Sequence, residues 1–283
     1  KLRLLNNKIY LLIYLIMKKI LIIGKRGFIG KNLNKFLKTK HNVKLISFKE
    51  ALNFKQINKY NFVINSSINR DYIKKKYNKN FDNDLKIAER LNNKKTIYVF
   101  LSSRKVYKAK ANVNEKSKLS PKSNYAKNKT MTEKILYGKF KNNLIILRIS
   151  NIIGDKSKFS KNLHKTFVDI FYEKAKKGII YNNKQNYKDF ISIQKFCEII
   201  NMIICKNLRG IYNISIGRKV FLNDVVKWLN HFNKNKFKII NYNKYPTGNF
   251  YLNNRKLMAK IKISNNIESL KKDCLNLSKR LFK

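Results

Sequence analysis

Proline and glycine are scarce in this chain, with two prolines and nine glycines among 283 residues. No stretch rich in either residue marks off an independent second domain, and no internal repeat is visible. Three cysteines, Cys197, Cys205 and Cys274, make neither an even disulfide framework nor a metal-ligand spacing; they read as reduced residues of a cytoplasmic protein. His41, His164 and His231 are scattered, which disfavours a metal site. The single tryptophan, Trp228, is spaced with Val225, Leu229 and Phe232 as a core-facing helix stripe would be, not as a base-stacking platform. Acidic residues are the deepest deficit: 15 Asp+Glu stand against 65 Lys+Arg, a net charge of +50. Such a field attracts nucleic acid, anionic membranes or phosphorylated ligands. The lysines are spread along the whole chain, however, and Lys, Asn, Ile, Tyr and Phe are abundant together. That pattern favours a compositional bias and disfavours nucleic acid or membrane as the partner. Long apolar runs are also missing. The run Ile9 to Ile16 is too short to span a bilayer, which takes about 20 residues. No small-residue cleavage site follows it, so residues 1–16 read as an upstream extension ahead of Met17, with a membrane anchor as the less favoured alternative.

What is present is a folded chain with 43% apolar residues, enough to bury a large core. Ile20 to Ile23 is an apolar strand that ends in Gly24-Lys25-Arg26-Gly27-Phe28-Ile29-Gly30, after which Leu33, Phe36 and Leu37 recur at helical spacing. Strand, glycine loop and helix in this order point to a dinucleotide site. Gly24 permits the tight turn, Gly27 lets the backbone approach a pyrophosphate, Gly30 lets helix pack on strand, and the anion rests on the helix N-terminus. Val43 to Phe48 reads as a second strand, with Ser47 and Lys49 at its end, where a NAD-preferring domain places an acid for the ribose hydroxyls. Glu50 falls one or two residues late. Arg26 and Lys49 could meet a ribose 2'-phosphate, so between NAD and NADP the reading leans to NADP.

Phe62 to Asn65 is a third strand followed by Ser66-Ser67, and residues just past strand ends line the ligand crevice of an open parallel sheet. A helix fits Phe81 to Leu91. Thr96 to Leu101 is a nearly continuous apolar strand of the kind buried on both faces, with Ser102 and Ser103 at its carboxyl end. Residues 108–122 read as loop, and a helix follows from about Asn124 to Phe140. It carries Tyr125 and Lys129, four residues apart on one face, so that the lysine cation can lie beside the phenol and stabilise its phenolate. That spacing alone describes many solvated helix faces; the strand-end hydroxyls and the glycine loop on the same side give it a chemical setting. Leu144 to Ile149 is a further buried strand. Beyond Gly154 the expected elements are a helix from Asn162 to Lys177, a segment Asn186 to Ile191, a helix from Gln194 to Ile204, a strand Gly210 to Ser215, a helix Asn223 to Phe232 and a strand Lys236 to Tyr242. The alternation predicts an α/β doubly wound parallel sheet of the Rossmann type with a smaller C-terminal substrate-binding lobe. Residues 17–154 would form the dinucleotide-binding domain, 155–187 part of the substrate lobe, 188–216 a return to the sheet and 217–283 the rest of the lobe.

These pieces together resemble the extended short-chain dehydrogenase/reductase family that acts on nucleotide sugars, the NAD-dependent epimerase/dehydratase group. The resemblance rests on Gly24 to Gly30, Ser102-Ser103-x-x-Val106-Tyr107, Pro121-x-x-x-Tyr125-x-x-x-Lys129 with Glu133 after it, Arg148-x-x-Asn151-x-x-Gly154, Lys188-Asp189-Phe190-Ile191, Ile211-Tyr212-Asn213 and the late segment Leu252 to Leu257. It implies an NAD(P)-dependent oxidoreductase or isomerase of the cytoplasm with a nucleotide-sugar substrate. Ser103 would hydrogen-bond the reacting sugar oxygen, Tyr125 would transfer the proton, and Lys129 would assist it while holding the nicotinamide ribose. Asn151 would contact the sugar nucleotide. Gly24, Arg26, Gly27, Phe28, Ile29, Gly30, Ser47, Lys49, Asn65, Ser66, Ser67 and Leu101, with Tyr125 and Lys129, would form the cofactor site. Family members that dehydrate sugars tend to carry Asp-Glu directly after the catalytic hydroxyl residue. Arg104-Lys105 stands there instead, so dehydration is disfavoured and epimerase or 4-keto-sugar reductase remains. The basic pair is expected to face solvent, a substrate phosphate being the alternative. A homodimer through the helices near 81–91 and 124–140 is a further implication of the resemblance. The competing readings are a non-catalytic Rossmann dinucleotide-binding regulator, a basic RNA-binding protein and an enzyme held at a membrane surface by residues 1–16.

Overall fold

Ile20, Leu21, Ile22 and Ile23 are all fully buried, which requires cover on both faces of the strand they form. The computed structural model, which describes residues 17–92, 95–155, 167–234, 238–241 and 248–282, supplies that cover with two helical layers. The sheet is built from β1 (Lys19–Ile23), β2 (Asn42–Ile46), β3 (Phe62–Asn65), β4 (Ile97–Ser103), β5 (Leu144–Ile149) and, late in the chain, Gly210–Ile214. With the short strands Asn151–Ile153 (β6), Ile179–Asn182 (β7), Tyr187–Lys188 (β8) and Phe190–Ser192 (β9) counted between, that late strand is β10. The order across the sheet is β10-β5-β4-β3-β1-β2, and every neighbouring pair is parallel.

Alternate residues of each strand serve opposite layers, as the two-residue period of a strand demands. Ile20 and Ile22 pack with Leu33 and Leu37 of helix α1 (Phe28–Leu37) and with Phe196, Ile199, Ile200 and Ile203 of a helix at Ile193–Cys205. Leu21 and Ile23 pack on the other face with Ala51 of α2 (Phe48–Asn53), with Leu85, Ile87 and Ala88 of a helix at Asn83–Glu89, and with Leu136 of a helix at Asn124–Phe140. Counting Arg70–Lys74 as α3, these three are α4 (Asn83–Glu89), α5 (Asn124–Phe140) and, after α6 (Phe167–Lys176), α7 (Ile193–Cys205). A third apolar cluster joins Phe190 and Ile216 to Val225 and Leu229 of α8 (Leu222–Asn230) and to Leu270, Cys274 and Leu277 of the last helix at Ile267–Leu281. That cluster is the core of the smaller C-terminal part.

From β1 the chain goes outward to β2, then crosses back to β3 on the other side of β1. Such a reversal opens a crevice at the carboxyl ends of the two inner strands, here β1 and β3. No helix among the described residues is long and apolar enough to cross a membrane.

Most elements fall where periodicity sets them, and the departures have local causes. The second strand ends at Ile46, because Ser47 caps α2: its hydroxyl accepts from Glu50 N, and the Glu50 carboxylate accepts from Ser47 N. The helix expected over 81–91 shortens to Asn83–Glu89 behind the Asp82 cap, and α3 precedes it unannounced. β4 continues through Ser102 and Ser103, which pair with Arg148 and Ile149 of β5. Within 108–122, Val113 bridges to Leu252 and Leu119 to Tyr107, so this loop is tied to the C-terminal part. Val225 and Leu229 are buried as the Trp228 stripe implies, but Phe232 lies beyond the end of α8 and is 43% exposed. The extension 1–16, His164, and the outer ends of the elements expected over 162–177 and 236–242 lie outside the described residues.

Candidate active site

Gly24 sits at the end of β1 with φ +121°, a backbone conformation that side chains rarely adopt. A Cβ there would stand 2.3 Å from Ser66 Oγ, and one on Gly30 would stand 2.5 Å from the Gly24 carbonyl oxygen. The cradle between the β1 turn, the end of β3 and the first turn of α1 is thus closed to any larger residue. Gly27 is the N-cap of α1 and offers no side-chain cap, so backbone N–H groups are the donors that α1 presents at this end. A dinucleotide pyrophosphate fits that donor set. Phe28 lies against Gly154, where a Cβ would reach within 2.5 Å of its ring.

Ser66 donates its hydroxyl to the Ile23 carbonyl at 2.7 Å, locking β3 to β1 at the crevice floor. Ser67 is held by Asn65, whose Oδ1 accepts from the Ser67 amide and hydroxyl at 3.0 and 2.6 Å. Leu101 is buried within the sheet's first apolar cluster. At the outer end of the crevice, Lys25, Arg26, Lys31, Ser47 and Glu50 line an open groove. Lys49 is not among them: it lies exposed on the first turn of α2, so the cations nearest the expected ribose position include Lys25 and Lys31 beside Arg26. The hydrogen bonds from Ser47 hold the Glu50 carboxyl below its ordinary range.

Ser103 closes β4, and its hydroxyl accepts from Lys105 N at 3.2 Å in the turn that follows. Tyr125 lies in the first turn of α5, behind the Ser123 cap. Lys105 joins the two, with Nζ 5.7 Å from the centre of the Tyr125 ring. Lys129 is one turn further into α5 and almost fully buried. Its ammonium faces the Asp84 carboxylate at 3.7 Å and lies 4.4 Å from the Phe100 ring centre and 5.5 Å from that of Tyr72. The lysine expected beside the Tyr125 phenol therefore has a carboxylate partner that the spacing in α5 did not announce. Asp84 also accepts from Tyr98 OH at 2.8 Å and from Asn65 Nδ2 at 3.0 Å. Asn151, on β6, donates to the Asp189 carbonyl at 3.0 Å.

Burial raises the Asp84 carboxyl to about 6, against the pull of Lys129. Its folded value thus lies above the unfolded value of about 3.9, so the folded state keeps a proton that the unfolded chain releases between these limits. This group's contribution to stability therefore falls as pH rises from about 4 to about 6. Urea unfolding of the wild type and Asp84→Asn should show it as a stability difference, wild type minus variant, that declines across this window. A difference that is flat or rises with pH would contradict the assignment.

Arg104 and Lys105 do not face open solvent as expected. The Arg104 guanidinium stacks 3.8 Å from the centre of the buried Phe250 ring, and Lys105 is half-buried. Among the described residues no group of three His, Cys, Asp or Glu side chains is placed to hold a metal ion. Sequence reasoning passed over Asp84 and Tyr98 entirely, since nothing local marks a helical aspartate as the counter-charge of a lysine 45 positions later.

The model of the NAD dependent epimerase/dehydratase family matches residues 20–215. No curated protein gives a significant sequence match. Among solved structures, the chain is similar to the UDP-N-acetylglucosamine 4-epimerase of Methanobrevibacter ruminantium in complex with UDP-N-acetylmuramic acid, at TM-score 0.72 and 17% identity over 94% of this chain and 98% of that one. It is similar to the dTDP-4-dehydrorhamnose reductase of Bacillus anthracis in complex with NADP, at TM-score 0.72 and 14% identity over 93% and 99% of the two chains. A third is the Bordetella bronchiseptica enzyme WbmH in complex with NAD+, at TM-score 0.74 and 16% identity over 93% and 97%. Identities this low speak for the shared fold, whereas the family model spans the glycine cradle, the end of β4, the first turns of α5 and β10. On that span, the chain belongs to the NAD-dependent epimerase/dehydratase family.

Proposed function

We propose that the chain is an NAD(P)-dependent nucleotide-sugar epimerase or 4-keto-sugar reductase in which Tyr125 is the acid/base. The observation that carries this reading is the meeting of the end of β4 with the first turn of α5. There Lys105, two residues past Ser103, lies against the Tyr125 ring at 5.7 Å. A hydroxyl and a phenol are thus carried on two regular elements that the Lys105 segment joins.

The dinucleotide, when bound, supplies the hydride acceptor or donor at its nicotinamide ring. Gly27 lets the backbone approach its pyrophosphate, Gly24 and Gly30 let β1, β3 and α1 close up beneath it, and the N-terminus of α1 supplies the donors. Ser103 Oγ holds the reacting sugar oxygen, and the Tyr125 phenol takes the proton of that hydroxyl during oxidation and returns it during reduction. Lys129 pairs with Asp84 at 3.7 Å and, having three N–H donors, can serve a ribose hydroxyl as well. Lys25, Arg26 and Lys31 at the outer groove, with Glu50 tied into the α2 cap, support NADP over NAD. Asn151 contributes to the sugar-nucleotide contact. Arg104-Lys105, in place of an acid pair after Ser103, leaves no carboxyl there to assist loss of water, which speaks against dehydration.

The test is to incubate the purified protein with NADH or NADPH and a panel of nucleotide sugars and nucleotide 4-keto-sugars, following cofactor absorbance and product stereochemistry. Net cofactor oxidation marks a reductase, and inversion without net oxidation marks an epimerase. Neither outcome across the panel, from protein that binds the dinucleotide, would overturn the reading.

A further inference from the structure

Three cations gather where the two parts of the molecule meet. Arg104 stacks on Phe250 at 3.8 Å, and Lys188 lies 5.9 Å from the centre of the same ring while donating to the Gly248 carbonyl. Lys105 turns from the same short segment toward Tyr125. In a chain so rich in lysine, surface cations mean little, but these are partly buried. Burial lowers Arg104 to about 10 and Lys188 to about 8, and proximity to Arg104 adds to the lowering of both Lys188 and Lys105. The buried Nε of Arg104 has no hydrogen-bond partner among the described residues. A buried guanidinium N–H left without a partner is costly unless an acceptor joins it.

Resting on the function proposed above, we propose that the sugar of the substrate itself carries a carboxylate, held by Arg104 and Lys188 beside Phe250, with Lys105 on the Tyr125 side. Arg104 and Lys105 directly follow Ser103, and successive residues are only about 3.8 Å apart along the chain. Both therefore branch from the chain within two residues of the hydroxyl proposed to hold the reacting oxygen. In a nucleotide sugar reacting at C4, the diphosphate hangs from C1 on the far side of the ring, whereas the substituent on C5 is adjacent to C4. A charge recognised beside Ser103 is therefore a charge on the sugar, and the planar fork of Arg104 matches the geometry of a carboxylate. Lys188 closes the site from the other part of the molecule. It directly precedes Asp189, whose carbonyl takes the Asn151 hydrogen bond, so the acid group and the sugar-nucleotide contact are set by one segment.

Calorimetric titration in the presence of oxidised cofactor at physiological salt tests this with matched pairs differing only at C6: UDP-glucose and UDP-glucuronate, dTDP-glucose and dTDP-glucuronate, GDP-mannose and GDP-mannuronate. Free UDP, dTDP and GDP complete the set. For the pair whose nucleotide the protein accepts, the acid sugar should bind about tenfold tighter or more, since hydrogen bonds to charged groups carry that much. Arg104→Met and Lys188→Met should each bring the ratio toward one. Equal affinities for both members would overturn this proposal and leave the proposed function standing. A free nucleotide that loses as much affinity in Arg104→Met as the acid sugar would assign the cations to the diphosphate and also overturn it. Failure of every nucleotide sugar to bind would remove both.

Discussion

Tyr125→Phe should lower turnover by at least about 10²-fold, and by as much as about 10⁴-fold, the range over which a positioned acid/base contributes. The substitution removes one oxygen and leaves the ring. The first turn of α5 keeps its Ser123 cap, and the contact between the Lys105 ammonium and the aromatic face depends on the ring alone. Dinucleotide affinity should change by no more than about twofold, because the glycine cradle and the N-terminus of α1, which hold the pyrophosphate, are on other elements. The two measurements together decide the point. Intact binding with lost turnover assigns the phenol to the chemical step, whereas joint loss would mean that Tyr125 serves the cofactor pocket. A variant that turns over as fast as the wild type would sink the proposed proton transfer outright. The expectation holds for either reaction, since both pass a hydroxyl proton at the carbon that exchanges hydride.

How far the molecule was legible from its residues depends on what each signal encodes. β1 and β3 are apolar but for one terminal residue and β5 but for Arg148, and a strand buried on both faces writes itself that way. The α5 helix matches its expected bounds of Asn124 to Phe140 although its apolar pattern is weak, because Ser123 marks its start. The glycine loop was legible because a positive φ and a 2.3 Å clearance admit one residue type. Ser47 was less so: its cap reaches three residues forward to Glu50, and the same letters could equally end a strand. The partner of Lys129 was not legible at all. Asp84 comes from a helix after β3, and only the sheet order β4-β3, with α4 packed behind it, brings it to α5. Arg104 shows the same limit from the other side. Its basic neighbour and the general excess of lysine suggest a solvated pair, and only Phe250, far along the chain, turns it inward.

Arg148→Met should cost about 3–5 kcal/mol of folding stability, the loss expected when one member of a buried ion pair is removed. Arg148 and Glu133 have side chains only 4% and 6% exposed, with Nη2 to Oε2 at 2.7 Å and Nε within 3.2 Å of both carboxylate oxygens. Burial opposes the charge on Arg148, but Glu133 more than offsets this and holds its pKa above the ordinary value. Without the guanidinium, Glu133 keeps the Ser102 hydroxyl as a donor and would carry an uncompensated buried charge. Tyr107 would lose the Nη1 donor at 2.7 Å, while its own hydroxyl donates to Asn213 on β10 at 3.0 Å. Asn213 in turn donates to the carbonyls of Val113 and Asn253. The pair is thus the root of a chain of hydrogen bonds that ties α5 and β5 to the loop at 108–122 and to the C-terminal part, directly beneath Ser103. Replacing both charges should be milder than replacing one: in Arg148→Met with Glu133→Leu no buried ion is left, and a double-mutant cycle in urea should return a coupling of about 0.5–3 kcal/mol. A loss below about 1 kcal/mol in Arg148→Met, or a double variant no more stable than the worse single, would show that the pair does not carry this load. Turnover gives a second readout. Since Ser102 is bonded to Glu133 and Ser103 follows it, the double variant should recover stability ahead of activity, because no charge then holds the end of β4 in register with the first turns of α5.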